Sequence, residues 1–364
     1  MGGTYRKIVK PIFFQFDPES VHERMTTTGE SIGRSRVRKK ILTAITNIHD
    51  PRLSQTIVGI TFHNPLGLAA GFDYQGRLTQ VLPAIGFGFG SLGTITKEAH
   101  AGNPRPILGR LPKSQSLMVN KGFRNLGAAT MVQNLSPLHF TIPIGVSIGR
   151  TNRDLTIDES IADIVAGFTT FKNSAVRNAY YELNISCPNL VGDANFYNPT
   201  QLTRLLTALA GLQITKPIFV KMPINESDST TLALCEVIAH HKLAGVILGN
   251  LQKDRTDPAF HKDELTKFPT GNFSGKPTQK RSDALIRLVY QNFGKQLVII
   301  GCGGTFTAQD AFTKITNGAS LVQLITGMIY RGPQVIAEIN SGLLKLLVLN
   351  NLPNIQAAIG LHVR

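Results

Sequence analysis

The side chains best able to do chemistry are one thiol, two ammonium groups and a set of amides, each at or just beyond a short apolar run. Cys187 stands in Ser-Cys-Pro-Asn, directly after the β-type run 181–185. A thiol just past a strand end faces a pocket, and nearby cations would lower its pKa and make it a base or a nucleophile. Lys221 and Lys97 sit at the ends of two other runs, where an ammonium serves catalysis or binds an anion. Asn120, Asn184, Asn189 and Asn250 each offer donors and acceptors together. A planar ring with alternating carbonyl and N–H groups, such as a pyrimidine or a flavin edge, needs that mixture. Gly303, Gly304, Thr326 and Gly327 fall in the turns GCGG and ITG. Backbone amides there can cradle a phosphate, or simply close tight turns. Cys235 and Cys302 read as structural, and His240-His241 as a solvated helix end. No Ser-His-Asp order, paired-carboxylate pattern or His-rich metal spacing emerges.

Something must hold these groups at one end of the molecule. Apolar β-type runs at 66–70, 90–96, 144–148, 181–185, 218–222, 245–248, 297–300 and 321–324 alternate with stretches of helical period. That alternation implies a parallel sheet, and eight units predict a (β/α)8 TIM barrel. A doubly wound open sheet is the alternative, weakened because no Gly-x-Gly-x-x-Gly opens the first unit. In a barrel the chemistry sits at the C-terminal ends of the strands, and the loops after strands seven and eight are the usual phosphate site. The stretch 252–282, rich in Lys, Asp, Pro and Gly, reads as an irregular insertion, a mobile loop over the mouth.

In the 364 residues, 42% are hydrophobic and 17% charged, which excludes a disordered or collagen-like chain. A net charge of +15 favours an anionic contact: a membrane surface, a nucleic acid or acidic small molecules. Three scattered cysteines supply no disulfide framework and suit a reducing compartment. No apolar run is long enough to span a bilayer, and no secretory signal opens the chain. Tyr5, Ile8, Val9, Ile12, Phe13 and Phe16 recur on one helical face, with Arg6, Lys7 and Lys10 off it and Pro11 breaking or kinking it. A basic cluster follows at Arg34, Arg36, Arg38, Lys39 and Lys40. The segment either lies on an anionic membrane or packs on the main domain with its charges solvated.

Longer motifs add a resemblance. NPLGLAAGFD (64–73), NISCPN (184–189), VKMP (220–223), IIGCGGTFTAQDAF (299–312) and GASLVQL (318–324) resemble dihydroorotate dehydrogenase along nearly the whole chain. FQFDPESVHE (14–23) and the closing AIGLHVR (358–364) are similar to its membrane-associated, quinone-using branch. The resemblance implies a helical extension over 1–50 and an FMN-binding barrel over 51–364. The implied reaction is oxidation of dihydroorotate to orotate in pyrimidine (UMP) biosynthesis, with hydride passing to FMN and a membrane quinone reoxidising the flavin. The protein would sit peripherally on the cytoplasmic face of the cell membrane and touch no nucleic acid. Cys187 would be the base, with Lys97 as a second catalytic residue. Lys221 would lie beside the flavin, and Ala70, Gly71, Thr94, Ser147, Asn184, Gly249, Gly275, Gly303, Gly304, Thr326 and Gly327 would hold it. Asn120, Gly122, Phe123, Asn184, Asn189 and Asn250 would hold the pyrimidine. Oligomeric state is left open.

Departures from the family pattern are specific. The quinone branch normally has serine as base, whereas cysteine is the habit of the soluble branch. It also carries a lysine after strand one, where Tyr74 stands here, while Lys97 matches a lysine of the soluble branch. Ile107 and Ile325 stand where the quinone pocket has an arginine and a tyrosine, although His22 matches. Ser147 replaces an asparagine, and Leu251 a small hydroxyl residue. Two alternatives stay open: a soluble-type enzyme using fumarate, and a dihydrouridine synthase-like reductase acting on tRNA.

Overall fold

Runs of Val, Ile and Leu that are buried on both faces belong in a parallel sheet covered by helices. The computed structural model, which describes residues 2–46 and 48–363, closes that sheet into a barrel. Its strands are β1 (Leu66–Leu68), β2 (Phe89–Ile95), β3 (Ile144–Ile148), β4 (Tyr180–Asn184), β5 (Ile218–Met222), β6 (Gly245–Leu248), β7 (Val298–Cys302) and β8 (Leu321–Leu324). All neighbours pair parallel, and β8 pairs with β1 to complete the ring. The open-sheet alternative is thereby excluded.

Strand alternation stacks the interior in layers. Phe89, Tyr180, Phe219, Ile247, Ile300 and Leu321 form the lowest layer, closed beneath by the hairpin Gln55–Ile57/Ile60–Phe62, whose Phe62 packs edge-on against Phe89 at 5.4 Å. Two residues further along, Ser91, Glu182 and Gln323 form a fully buried polar layer. Gln323 donates to Glu182 at 2.7 Å and to Ser91 Oγ at 3.0 Å. Two residues on again come Gly93, Asn184 and, beside it on β5, Lys221. The same period that fills the floor with rings therefore raises an amide and an ammonium to the mouth.

The stretch 252–282 is not irregular. It carries a short helix (Lys262–Leu265) and a strand (Asn272–Gly275) that joins Leu108–Leu111 and Ser116–Val119 in a small antiparallel sheet over the mouth. Glu264 accepts from the backbone N–H of Lys113 and Ser114 at 2.8 Å each, and Arg255 donates to the carbonyls of Phe268, Pro269 and Gly271. Those long-range partners pin the segment, and a count of turn-forming residues does not reveal them.

The N-terminal residues form helices. Gly2–Phe13 is helical throughout, with a wide π turn over Tyr5–Val9 just ahead of Pro11, so the ring is absorbed without a sharp break. Helix α1 (Pro18–Arg34) is capped by Asp17, which accepts from Ser20 N–H at 2.8 Å, with Pro18 in its first turn. Ser35 is extended, and α2 (Arg36–Thr46) follows. The apolar stripe divides: Tyr5, Val9 and Phe13 are half-buried, while Ile8, Ile12 and Phe16 are exposed.

Candidate active site

A cavity open at its mouth occupies the C-terminal end of the barrel. Cys187, Lys221, Asn184, Asn189 and Asn250 all line it, together with Ala70, Gly71, Thr94, Gly122, Phe123, Gly275, Gly303, Gly304, Thr326 and Gly327. Residues from seven strand ends or mouth loops thus meet in one space.

Hydrogen bonds fix the amides. Asn184 donates to Thr94 Oγ1 at 2.7 Å and accepts from Ser186 N–H and Oγ. Asn250 donates to the Ser186 carbonyl at 3.0 Å and to its Oγ at 2.6 Å, tying β6 to the loop after β4. Asn189 donates to the Val119 carbonyl and accepts from Asn272 at 2.7 Å, joining the same loop to the small sheet. Cys187 lies between these anchors. The loop beyond it is held by Arg150, which donates to the carbonyls of Val191 at 2.7 Å, Arg153 at 2.9 Å and Ala194 at 3.1 Å.

Cys187 is half-buried, and burial pushes its thiol up to about 11, against the pull of the Asn189 backbone N–H and of Arg150, Lys221 and Lys253. The lowered pKa expected from neighbouring cations is therefore corrected: desolvation outweighs them. At neutral pH this sulfur is a thiol, and only its small thiolate fraction could accept a proton.

The turns after β7 and β8 form a cradle open to a phosphate. Gly303 and Gly304 have φ of +116° and +68°, and a Cβ on Gly327 would stand 2.0 Å from the Thr305 carbonyl. Within this cradle the buried Thr305 Oγ1 has no hydrogen-bond partner. Thr326 Oγ1 bonds Ser274 Oγ at 2.8 Å. An unpaired hydroxyl among glycine amides suits an anion, and the room above it suits a ring, so the residues present fit FMN. Thr305 carried no signal of its own in the sequence beyond following the glycines.

Four residues singled out from sequence do not line the cavity. Lys97 is exposed beyond the end of β2, and its backbone carbonyl, with that of Thr96, accepts from the first N–H of the helix Ala128–Leu135. The register of β2 against β3 shifts between Leu92 and Ile95, which changes the phase in which side chains leave the strand. Ser147 is fully buried behind Thr94, bonded to it at 2.9 Å. Gly249 packs against backbone, with its Cβ position 1.6 Å from the Cys302 carbonyl. Asn120 accepts from Asn103 at 3.0 Å and braces the 120–123 turn from behind.

The second lysine that lines the cavity, besides Lys221, is Lys121. It belongs to a wall between the barrel and α1 with His22, Tyr74 and Arg124. The His22 ring stacks on Tyr74 at 5.8 Å, and burial, with Lys121 and Arg124 nearby, pushes its pKa down to about 3, so the imidazole is neutral. Leu108, Leu117, Val119, Ile325 and Ile329 give the same side of the cavity an apolar lining. Ile107 is buried outside it.

Residues 52–347 match the family model for dihydroorotate dehydrogenase. Relatives named dihydroorotate dehydrogenase (quinone) are 35% identical in Acaryochloris marina, over 93% of this chain and 94% of that one. In Nostoc punctiforme the figure is 35%, over 99% and 98%, and in Chloroflexus aurantiacus 37%, over 93% and 96%. Among solved structures, DHODH from Eimeria tenella in complex with ferulenol superposes with a TM-score of 0.84 at 28% identity, covering 96% of each chain. Its ligand-free form gives the same TM-score and identity.

Proposed function

The chain belongs to the dihydroorotate dehydrogenase family, and from that premise we propose that it oxidises dihydroorotate to orotate in pyrimidine biosynthesis, with a quinone as final acceptor. The observation that carries this reading is the convergence of Cys187, Lys221 and three asparagines on one cavity that ends in a glycine-lined anion cradle. FMN, when bound there, supplies the two-electron acceptor. Gly303, Gly304, Thr305, Thr326 and Gly327 would hold its phosphate, and Ala70, Gly71, Thr94 and Lys221 its ring.

Cys187 removes a proton from C5 of dihydroorotate as the hydrogen on C6 departs with its electron pair, leaving the C5–C6 double bond of orotate. Asn184, Asn189 and Asn250 are preorganised by Thr94, Ser186 and Asn272 to meet the ring's carbonyl and N–H edges. Fixing those amides before substrate arrives lowers the entropic cost of orienting the C5–H toward sulfur. The quinone would enter along the apolar lining of Leu108, Leu117, Val119, Ile325 and Ile329, past neutral His22. This is where the N-terminal helices meet the barrel.

Among the described residues no helix is long and apolar enough to cross a membrane. Peripheral contact through the exposed Ile8, Ile12, Phe16, Val37 and Ile41 supports the same reading, because a membrane quinone must reach the cleft from lipid. The deciding experiment mixes purified protein anaerobically with dihydroorotate and follows flavin bleaching, then adds quinone, fumarate or oxygen in turn. Rapid bleaching with reoxidation fastest by quinone is expected. No bleaching would overturn the substrate, and preferential reoxidation by fumarate would overturn the acceptor.

A further inference from the structure

We propose that Lys121 is the cation that binds the carboxylate of dihydroorotate and orotate, and that it sets this site's preference for a carboxylated pyrimidine; this rests on the functional reading above. Tyr74 stands in the loop after β1, and the exposed Lys97 does not line the cavity. An anionic substrate entering the cavity therefore meets Lys121, carried by the turn after the strand Ser116–Val119.

That turn is built to hold one position. Asn103 N–H bonds the Lys121 carbonyl at 3.3 Å, Asn103 Nδ2 bonds Asn120 at 3.0 Å, and Asn152 donates to the Gly122 carbonyl at 3.1 Å. Gly122 and Phe123, which follow Lys121 and also line the cavity, have φ of +59° and +58°. For a phenylalanine that is a costly conformation, maintained by its surroundings, of a kind that clusters at ligand sites. The side chain is held as well. Its Nζ stands 4.9 Å over the Tyr74 ring and donates to the Gly71 carbonyl at 3.4 Å. A tyrosine at position 74 thus steadies the ammonium from its π face.

The charge has no carboxylate of its own. Glu19 faces it from α1, but its two oxygens are taken by Arg105 at 3.1 Å and Arg124 at 3.5 Å. Among the described residues, none forms an ion pair with Lys121. An enclosed ammonium without a counter-ion is costly, and a substrate carboxylate removes that cost. Burial and Arg124 push the ammonium down to about 8, with Glu19 opposing. Of the groups facing it, His22 stays neutral above about 3, and burial holds Tyr74 above the usual phenol range. Above neutral pH, then, Lys121 is the facing group whose charge changes, and it is lost as pH rises through about 8.

The test titrates orotate and uracil, the same ring without the carboxylate, into the oxidised flavoprotein and follows the flavin absorption. In the wild type, orotate affinity should fall with rising pH above about 8 while uracil affinity stays level. Lys121→Met should weaken orotate about 10- to 100-fold, leave uracil within about twofold, and abolish the pH dependence. Lys121→Arg, which keeps its charge, should recover most of the affinity and bind with a flat pH profile. Orotate bound as tightly by Lys121→Met as by wild type, or orotate and uracil lost together, overturns the proposal. A wild type that binds no orotate overturns the functional reading instead.

Discussion

Cys187 carries a conflict between the role assigned to it and its surroundings. A base must be deprotonated, yet burial holds this thiol at about 11. Below that pH each unit of increase multiplies the thiolate about tenfold. Flavin reduction by dihydroorotate should therefore climb about tenfold per pH unit over the alkaline range and level off only near 11. In Cys187→Ala, stopped-flow bleaching should be slowed by orders of magnitude with FMN retained. Cys187→Ser should be slower at every pH, with no plateau, because a hydroxyl is the weaker acid. A profile already level at pH ~8, or an alanine variant that bleaches at the wild-type rate, removes sulfur from the proton transfer. Much of this site was legible from residue types at strand ends: the asparagines at 184, 189 and 250, the paired glycines and Lys221 all reach the cavity. Lys97 and Lys121 were not separable that way. Which of two lysines enters depends on a register shift in β2 and on a turn locked by Asn103 and Asn152, and no spacing rule encodes either.

At the scale of elements, the question is how α1 comes to cover the mouth. Gly29 and Gly33 lie one turn apart on α1. A Cβ at Gly29 would stand 2.5 Å from Leu78 Cδ2, and one at Gly33 would stand 3.1 Å from Gln80 Cβ and 3.3 Å from the Val81 nitrogen. The close approach lets Arg77 reach across to Glu23 at 2.5 Å and Glu30 at 2.7 Å. Backbone atoms at Gly33 cannot yield, so Gly33→Leu should lift the helix at a cost of about 1–3 kcal/mol. Hydrogen exchange should then quicken across residues 18–46 but not in the barrel strands, and the KM for quinone should rise several-fold with anaerobic flavin reduction unchanged. Uniform loss of protection would mean that α1 is instead part of the barrel's cooperative unit. The eight strands were legible because buried parallel strands read as continuous apolar runs, and their ends agree to within two residues. The small antiparallel sheet was not, since the partners of Asn272–Gly275 lie at Ser116–Val119, far away in the chain, and its strands are short.

For the whole molecule, apolar surface and charge are unevenly shared. Seven of the thirteen large apolar side chains exposed among the described residues precede residue 47, among them Ile8, Ile12, Val37 and Ile41. Exposed basic residues, including Lys7, Arg34, Arg36, Arg38 and Lys40, flank them in sequence. Apolar groups left in water beside positive charge are stabilised by an anionic interface, which takes up the side chains and attracts the cations. The net charge of +15 adds a long-range pull that salt screens. The protein should therefore sediment with vesicles containing anionic lipid, less so as salt rises, and poorly with neutral ones. Each exposed Ile or Val contributes on the order of 1 kcal/mol or more when it enters the interface. Ile8→Asp combined with Val37→Asp should thus lower vesicle affinity at least about tenfold, while turnover with a short-chain, water-soluble quinone stays unchanged. Sedimentation that ignores salt, lipid charge and both substitutions would show that these helices serve only to roof the cleft, and that the quinone arrives by another route.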